Sequence, residues 1–148
     1  MNSEHSANTQ LFQTAQLLLS LYELRRETKL REARQWFLSS FRPETPTDFF
    51  RLCPPGSETE TYFRMVSSYW ELAASFVTAG IVDQDLFIHN NAELLQVWER
   101  IRCLVPAWRE AWNNPLAVKN LEEVAKRTAA YMNQAHPLAH ETFISKMQ

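Results

Sequence analysis

Apolar residues return at steps of three and four along most of the chain, the spacing that gathers side chains on one face of an α-helix. Leu11, Ala15, Leu18 and Tyr22 make the first stripe, and Leu30, Ala33, Phe37 and Phe41 resume it after an interval. Between the two lies RRETKLREAR, residues 25–34, with five basic and two acidic side chains. No Gly or Pro interrupts this region, so the pattern predicts one helix over 9–41, roughly 50 Å long at 1.5 Å per residue, behind a frayed polar start at 1–8. A rod of that length outruns a small bundle. It implies a projecting end or a second chain to pack against.

Arg42-Pro43 ends this helix, because the residue before proline is pushed out of helical geometry. The stretch that follows holds four of the seven prolines and reads as a linker, 42–56, with one helical turn around 47–52 that pins Phe49 and Phe50 to the core. Ser57 and Glu60 form a capping-box pattern that opens a helix running to Gly80, a residue suited to the left-handed position past a C-terminus. Tyr62, Val66, Tyr69, Ala73 and Phe76 form its stripe, and Phe63, Trp70, Ala74 and Val77 widen it until little polar face remains. Such a helix belongs at the centre of a bundle.

Asp83 is placed to cap a short helix, QDLFIH, and Asn90 with Glu93 repeats the capping pattern ahead of the next helix. In that helix Leu94, Trp98, Ile101, Val105, Trp108 and Trp112 fall on one seam, which reads as interior packing for all three tryptophans. Pro106 predicts a kink or break between Arg102 and itself. Asn114-Pro115 opens the last long helix, with Leu121, Val124, Ala125, Thr128 and Met132 inward. The bundle proper then spans 57–133, with a tail or short helix over 134–148 after His136-Pro137.

Only two glycines occur in 148 residues, 12% of the chain is aromatic, and β-branched runs are missing. The fold class that follows is all-α: a single domain over 9–148, a helical bundle of four to five main helices with a long N-terminal helix. A net charge of -2 and a pI near 6.1 give no basic excess, which argues against nucleic acid and anionic membrane as partners. LLLSLY is far shorter than the ~20 residues of a membrane span. The opening MNSEHSANTQ lacks the basic start of a secretory leader, and Cys53 and Cys103 lie in no CxxC or ligand pattern. These features point to a cytoplasmic chain with reduced thiols and no cofactor.

Glu71 is the one charge between Arg64 and Asp83, on the helix expected to be most enclosed. An unpaired buried carboxylate costs several kcal/mol. Arg102 and Arg109, one heptad apart beside the tryptophan seam, are its natural partners. A register-fixing ion pair is the first reading of this trio, and a desolvated general base is the alternative. His136 and His140 lie four apart with Glu141 alongside, half of a zinc site without a third ligand or HExxH order. Asp83, Asp85, His89 and Glu93 mix acid and imidazole, but capping accounts for two of them. The basic segment carries its own Glu27 and Glu32 as i,i+4 partners, the look of a solvated face. No GxSxG, glycine-rich phosphate loop or Cys-His signature is present.

YWELAASFVTAGIVDQDLF, VWERIRCLVPAWREAW and NLEEVAKR, in that order, resemble the helical bacterial family catalogued as domain of unknown function 4760. The matching positions are Trp70-Glu71, Gly80, Val82-Asp83 through Leu86-Phe87, Trp98 and Arg109, across roughly residues 28–130. Some members carry a membrane helix ahead of this domain, where this chain has only QLLLSLY. The resemblance implies no activity and favours Glu71 and Arg109 as a matched pair. The expectation is therefore an interaction or scaffold module rather than an enzyme, acting on a protein partner, most simply itself as a homodimer through the basic part of the first helix. The alternative is a small-ligand binder or enzyme around Glu71, Arg102 and Arg109.

Overall fold

The computed structural model describes residues 2–147; Met1 and Gln148, the outer ends of the expected frayed start and C-terminal tail, lie outside them. Among the described residues the chain is all-α, with nine helices: α1 Asn2–Arg25, α2 Thr28–Ser40, α3 Pro46–Leu52, α4 Glu58–Thr78, α5 Gln84–Asn90, α6 Glu93–Ile101, α7 Val105–Ala111, α8 Lys119–Ala135 and α9 Ala139–Lys146. Four of them build the core. Helix α4 lies between α2 and α8, α6 packs on α8 and α4, and α9 covers the other end of α8.

The single helix expected over 9–41 is two helices, and its start is not frayed, since α1 begins at Asn2. The break needs neither Gly nor Pro. Glu27 turns its carboxylate back onto the backbone N–H groups of Lys29 (3.1 Å) and Leu30 (2.9 Å), capping α2, while Arg34 donates to the Arg25 carbonyl at the end of α1 (3.1 Å). These bonds satisfy terminal backbone groups that an unbroken helix would have satisfied internally. Helix α1 also presents a different face from the one its periodicity suggests. Thr14, Leu21 and Arg25 are its buried residues, whereas Leu11, Ala15 and Tyr22 of the expected stripe face outward. Tyr69 fixes that rotation by donating its hydroxyl to the Leu21 carbonyl (2.7 Å).

In the proline-rich segment Thr45 and Asp48 form a capping box for α3. Phe49 packs edge-on against Phe63 and Trp108, but Phe50 stays exposed. Ser57 caps α4, and Gly80 follows it with φ of +72°. Asp83 caps α5 by accepting from the Leu86 amide. Asn90 does not cap α6: its amide donates to Leu86 within its own helix, and α6 starts behind Ala92 without a side-chain cap. The Pro106 break is present, with α6 ending at Ile101 and proline in the first turn of α7. Helix α8 begins at Lys119 rather than at Asn114. Asn114 instead accepts from the Leu116 amide and starts a turn that ends at Val118.

Phe37, Phe41, Trp70, Leu94, Ile101 and Leu121 are fully enclosed where α2, α4, α6 and α8 meet. Stacked rings continue the core toward α3, from Phe37 to Phe41 (4.6 Å between centroids) and on to Phe63 (5.4 Å). Burial of these large side chains, at ~1.5–3 kcal/mol each, is the main source of stability and holds the surface features in place.

Candidate functional site

Glu71 is half-buried, as the sequence suggests, but no ion pair joins it to Arg102 or Arg109. Its Oε1 accepts from the Asn120 backbone N–H (3.2 Å) and side-chain amide (2.8 Å), and its Oε2 accepts from the Leu121 N–H (2.8 Å). The carboxylate therefore caps α8 from a neighbouring helix. The positive end of the α8 dipole and its unsatisfied N–H groups replace the guanidinium that was expected. Both carboxylate oxygens are committed to N–H donors at the start of α8, which leaves little geometric basis for a general base.

Arg109 holds the same turn from its carbonyl side. Its Nε and Nη2 both donate to the Ala117 carbonyl (3.1 and 3.0 Å), and Nη2 also meets Glu122 (2.6 Å). Lys126 joins Glu122 at 2.8 Å, and these two partners, Lys126 first and Arg109 second, hold the Glu122 carboxyl below the ordinary carboxylate range. Between the two clamps Val118 sits in the left-handed region with φ of 49°. That conformation is costly for a β-branched residue and persists where surrounding contacts over-determine it. Arg102, largely exposed, pairs with Glu99 within its own segment (2.9 Å).

The remaining candidates disperse. His136 accepts from the Leu138 amide at the end of α8, while His140 turns its Nε2 toward Glu99 (3.6 Å). Asp83 caps α5, His89 meets the Tyr131 hydroxyl (2.5 Å), and Glu93 takes a two-point bond from Arg34 (2.8 and 2.5 Å). Among the described residues no three His, Cys, Asp or Glu side chains converge as a metal site. In the basic segment Lys29 pairs with Glu32, Glu27 is an N-cap and Arg34 is tied to Glu93. Cys53 and Cys103 are free thiols; burial pushes the Cys53 thiol up to about 11.

Two of the three seam tryptophans, Trp98 and Trp108, are buried, but Trp112 is 63% exposed. Helix α7 ends at Ala111, so Trp112 falls past the last position that the helical repeat governs, and it stacks on Trp108 at 6.0 Å and 12°. Trp108, Trp112, Phe49 and Phe50 line a groove of about 710 Å³ bordered by Glu71 and Val118. The clamped turn is one wall of it.

Helix α1 carries several exposed large apolar side chains. Leu11, Phe12, Leu19 and Tyr22 are more than half exposed, with Phe12 at 63% and Leu19 at 65%. Leu11 and Tyr22 belong to the stripe that the periodicity picks out, while Phe12 and Leu19 lie beside it; periodicity shows that a face is apolar without showing what covers it. Among the described residues no helix is long and apolar enough to cross a membrane. No curated protein and no solved structure matches the chain. One family profile does, over residues 10–128, from inside α1 to the buried Thr128 of α8 and so across both clamps of the turn: the chain belongs to the family described as Domain of unknown function (DUF4760).

Proposed function

We propose that this domain is a cytoplasmic interaction module that self-associates by laying α1 against α1 of a second copy in antiparallel orientation. The observation that carries this reading is the exposed stripe of α1. Glu4, Asn8, Leu11, Ala15, Leu18, which is half-buried, and Tyr22 follow one another at steps of four and three, with Phe12 and Leu19 beside them and Arg26 just past the helix end. A two-fold axis through Ala15 sets Leu11 opposite Leu19 of the second copy, Phe12 opposite Leu18, and Glu4 opposite Arg26. The pairing is reciprocal, as a two-fold interface requires. The smallest side chain falls at the crossing, where it permits close approach, and the opposite charges fall at the two ends.

The site of association thus moves from the basic segment, where Lys29 and Arg34 are already paired with Glu32 and Glu93, to the apolar half of α1, with Arg26 at its edge. In this reading Glu71 and Arg109 shape the domain and touch no substrate. An enzymatic site built on them finds less support, because both side chains are engaged by the turn before α8. Mass measured by light scattering should double with rising concentration, and Phe12→Asp should return the chain to monomer without lowering its melting temperature. Glu4→Arg and Arg26→Glu should each weaken the dimer and restore it when combined. A monomeric mass up to high micromolar concentration would refute the proposal.

A further inference from the structure

Arg25, the last residue of α1, is only 9% exposed, yet no carboxylate pairs with it. Its guanidinium carbon lies 5.3 Å from the Trp70 ring centroid and 5.6 Å from that of Tyr22, and its Nε is buried without a hydrogen-bond partner. The nearby acid is already taken: Glu93 gives both oxygens to Arg34. Ring faces compensate an arginine only in part, and a buried cation without an anion is a costly arrangement. It is the one strongly buried charge in the molecule left in this condition among the described residues.

Arg25 lines a cavity of about 770 Å³ between α1 and the end of α5. Leu18, Leu19, Tyr22 and Leu86 supply its apolar wall, and Arg26 stands at its exposed edge. The volume falls in the range of small-molecule sites, which combine mostly apolar lining with a few polar groups that fix orientation. We propose that this cavity binds a monoanionic carboxylate carried on an apolar body, a fatty or aromatic acid, with the carboxylate on Arg25 and the apolar part along Leu18, Leu19 and Leu86. A planar guanidinium fork matches the two oxygens of a carboxylate. Arg25 is the one cation of this lining that is both buried and without an anion, which calls for a single negative charge. Arg34, bound to Glu93, is spent.

This site does not depend on self-association, although Ala15, Leu18, Leu19, Tyr22 and Arg26 serve both surfaces, so ligand and second copy exclude one another. Binding is therefore measured on the Phe12→Asp chain, since Phe12 lies outside the cavity. Decanoate, decanol and decyltrimethylammonium, each below its micelle-forming concentration, are titrated by calorimetry. Decanoate should bind saturably at one per chain and at least about tenfold more tightly than decanol, the effect of one charge-assisted contact, while the ammonium should not bind. Arg25→Met, which keeps the stem and removes the charge, should abolish the preference for decanoate over decanol. No saturable decanoate binding, equal binding of decanol or the ammonium, or an unchanged preference in Arg25→Met would each overturn the assignment. Should Arg25→Met fail to fold, the head-group series on the arginine-containing chain decides alone.

Discussion

Glu71 and Arg109 share no hydrogen bond, yet they grip one turn from opposite sides: Glu71 accepts from the N–H groups of Asn120 and Leu121, and Arg109 donates to the carbonyl of Ala117. The turn between them carries Val118 in its strained conformation and starts α8, the helix on which α4, α6 and α9 all pack. Two charged side chains therefore govern the direction in which a central helix leaves its loop.

Replacing Glu71 by Gln leaves one carboxylate oxygen's donors facing an amide NH2 and removes the charge that the α8 dipole favours. Hydrogen bonds to a charged group are worth about 1.5–3 kcal/mol, so Glu71→Gln should lower unfolding stability by about that much. Glu123→Gln, on the exposed side of α8, serves as the control and should change it by less than about 0.5 kcal/mol. Urea unfolding followed by circular dichroism reads the difference; equal midpoints would show that the cap is not what Glu71 supplies.

Arg109→Lys keeps the charge and loses the fork. Lysine is a single point donor, so the pair of bonds to Ala117 and the bond to Glu122 cannot all survive, and a loss of about 1–2 kcal/mol is expected. The two clamps should also be coupled through the turn. The Glu71→Gln/Arg109→Lys double variant should depart from additivity by more than about 0.5 kcal/mol, the level that separates residues sharing a structural element from independent ones. Strict additivity would mean that the turn holds its shape with either clamp alone.

Enclosed stripes were legible in the sequence because burial and periodicity agreed there: Leu30, Ala33 and Phe37 on α2 with Phe41 just past its end, and Leu94, Trp98 and Ile101 on α6, are all buried. The stripe of Leu11, Ala15 and Tyr22 is equally regular and lies outside, since a pattern in one chain is silent about the rotation at which a helix docks. Glu71 was visible as a charge needing a partner. Its partner was not, because a helix N-terminus carries positive potential without any basic residue to mark it. The break before α2 was hidden for a related reason: its cap is a glutamate, a residue that ordinarily favours helix interiors.

Acid should weaken the Arg109 clamp specifically. Lys126 and Arg109 hold the Glu122 carboxyl below its ordinary range, so protonation on folding is disfavoured relative to the unfolded chain. A group with a lowered folded-state pKa adds stability above its unfolded pKa, near 4.3 for Glu, and loses it as pH falls through the folded value. The stability gap between the parent chain and Glu122→Gln should accordingly be open at pH 7 and close below about pH 4. A gap of constant size across that range would show that the charge of Glu122 is not what the clamp uses.

The stacked pair Trp108 and Trp112 separates packing from exposure within one motif. Trp108 is enclosed by Phe49 and Phe63, and its truncation to Ala should cost about 3–5 kcal/mol, as for other large core residues. Trp112 contributes one ring face to the stack and leaves most of its surface in water, so Trp112→Ala should cost no more than about 1.5 kcal/mol. Acrylamide quenching checks the same geometry without unfolding the protein. The easily quenched fraction of tryptophan fluorescence should fall sharply in Trp112→Ala and remain in Trp98→Phe, because the mostly exposed indole is that of Trp112, just beyond the end of α7, while Trp36 is only partly exposed. If removing Trp112 left that fraction untouched, the ring would have to lie against the groove wall rather than stand open at its edge.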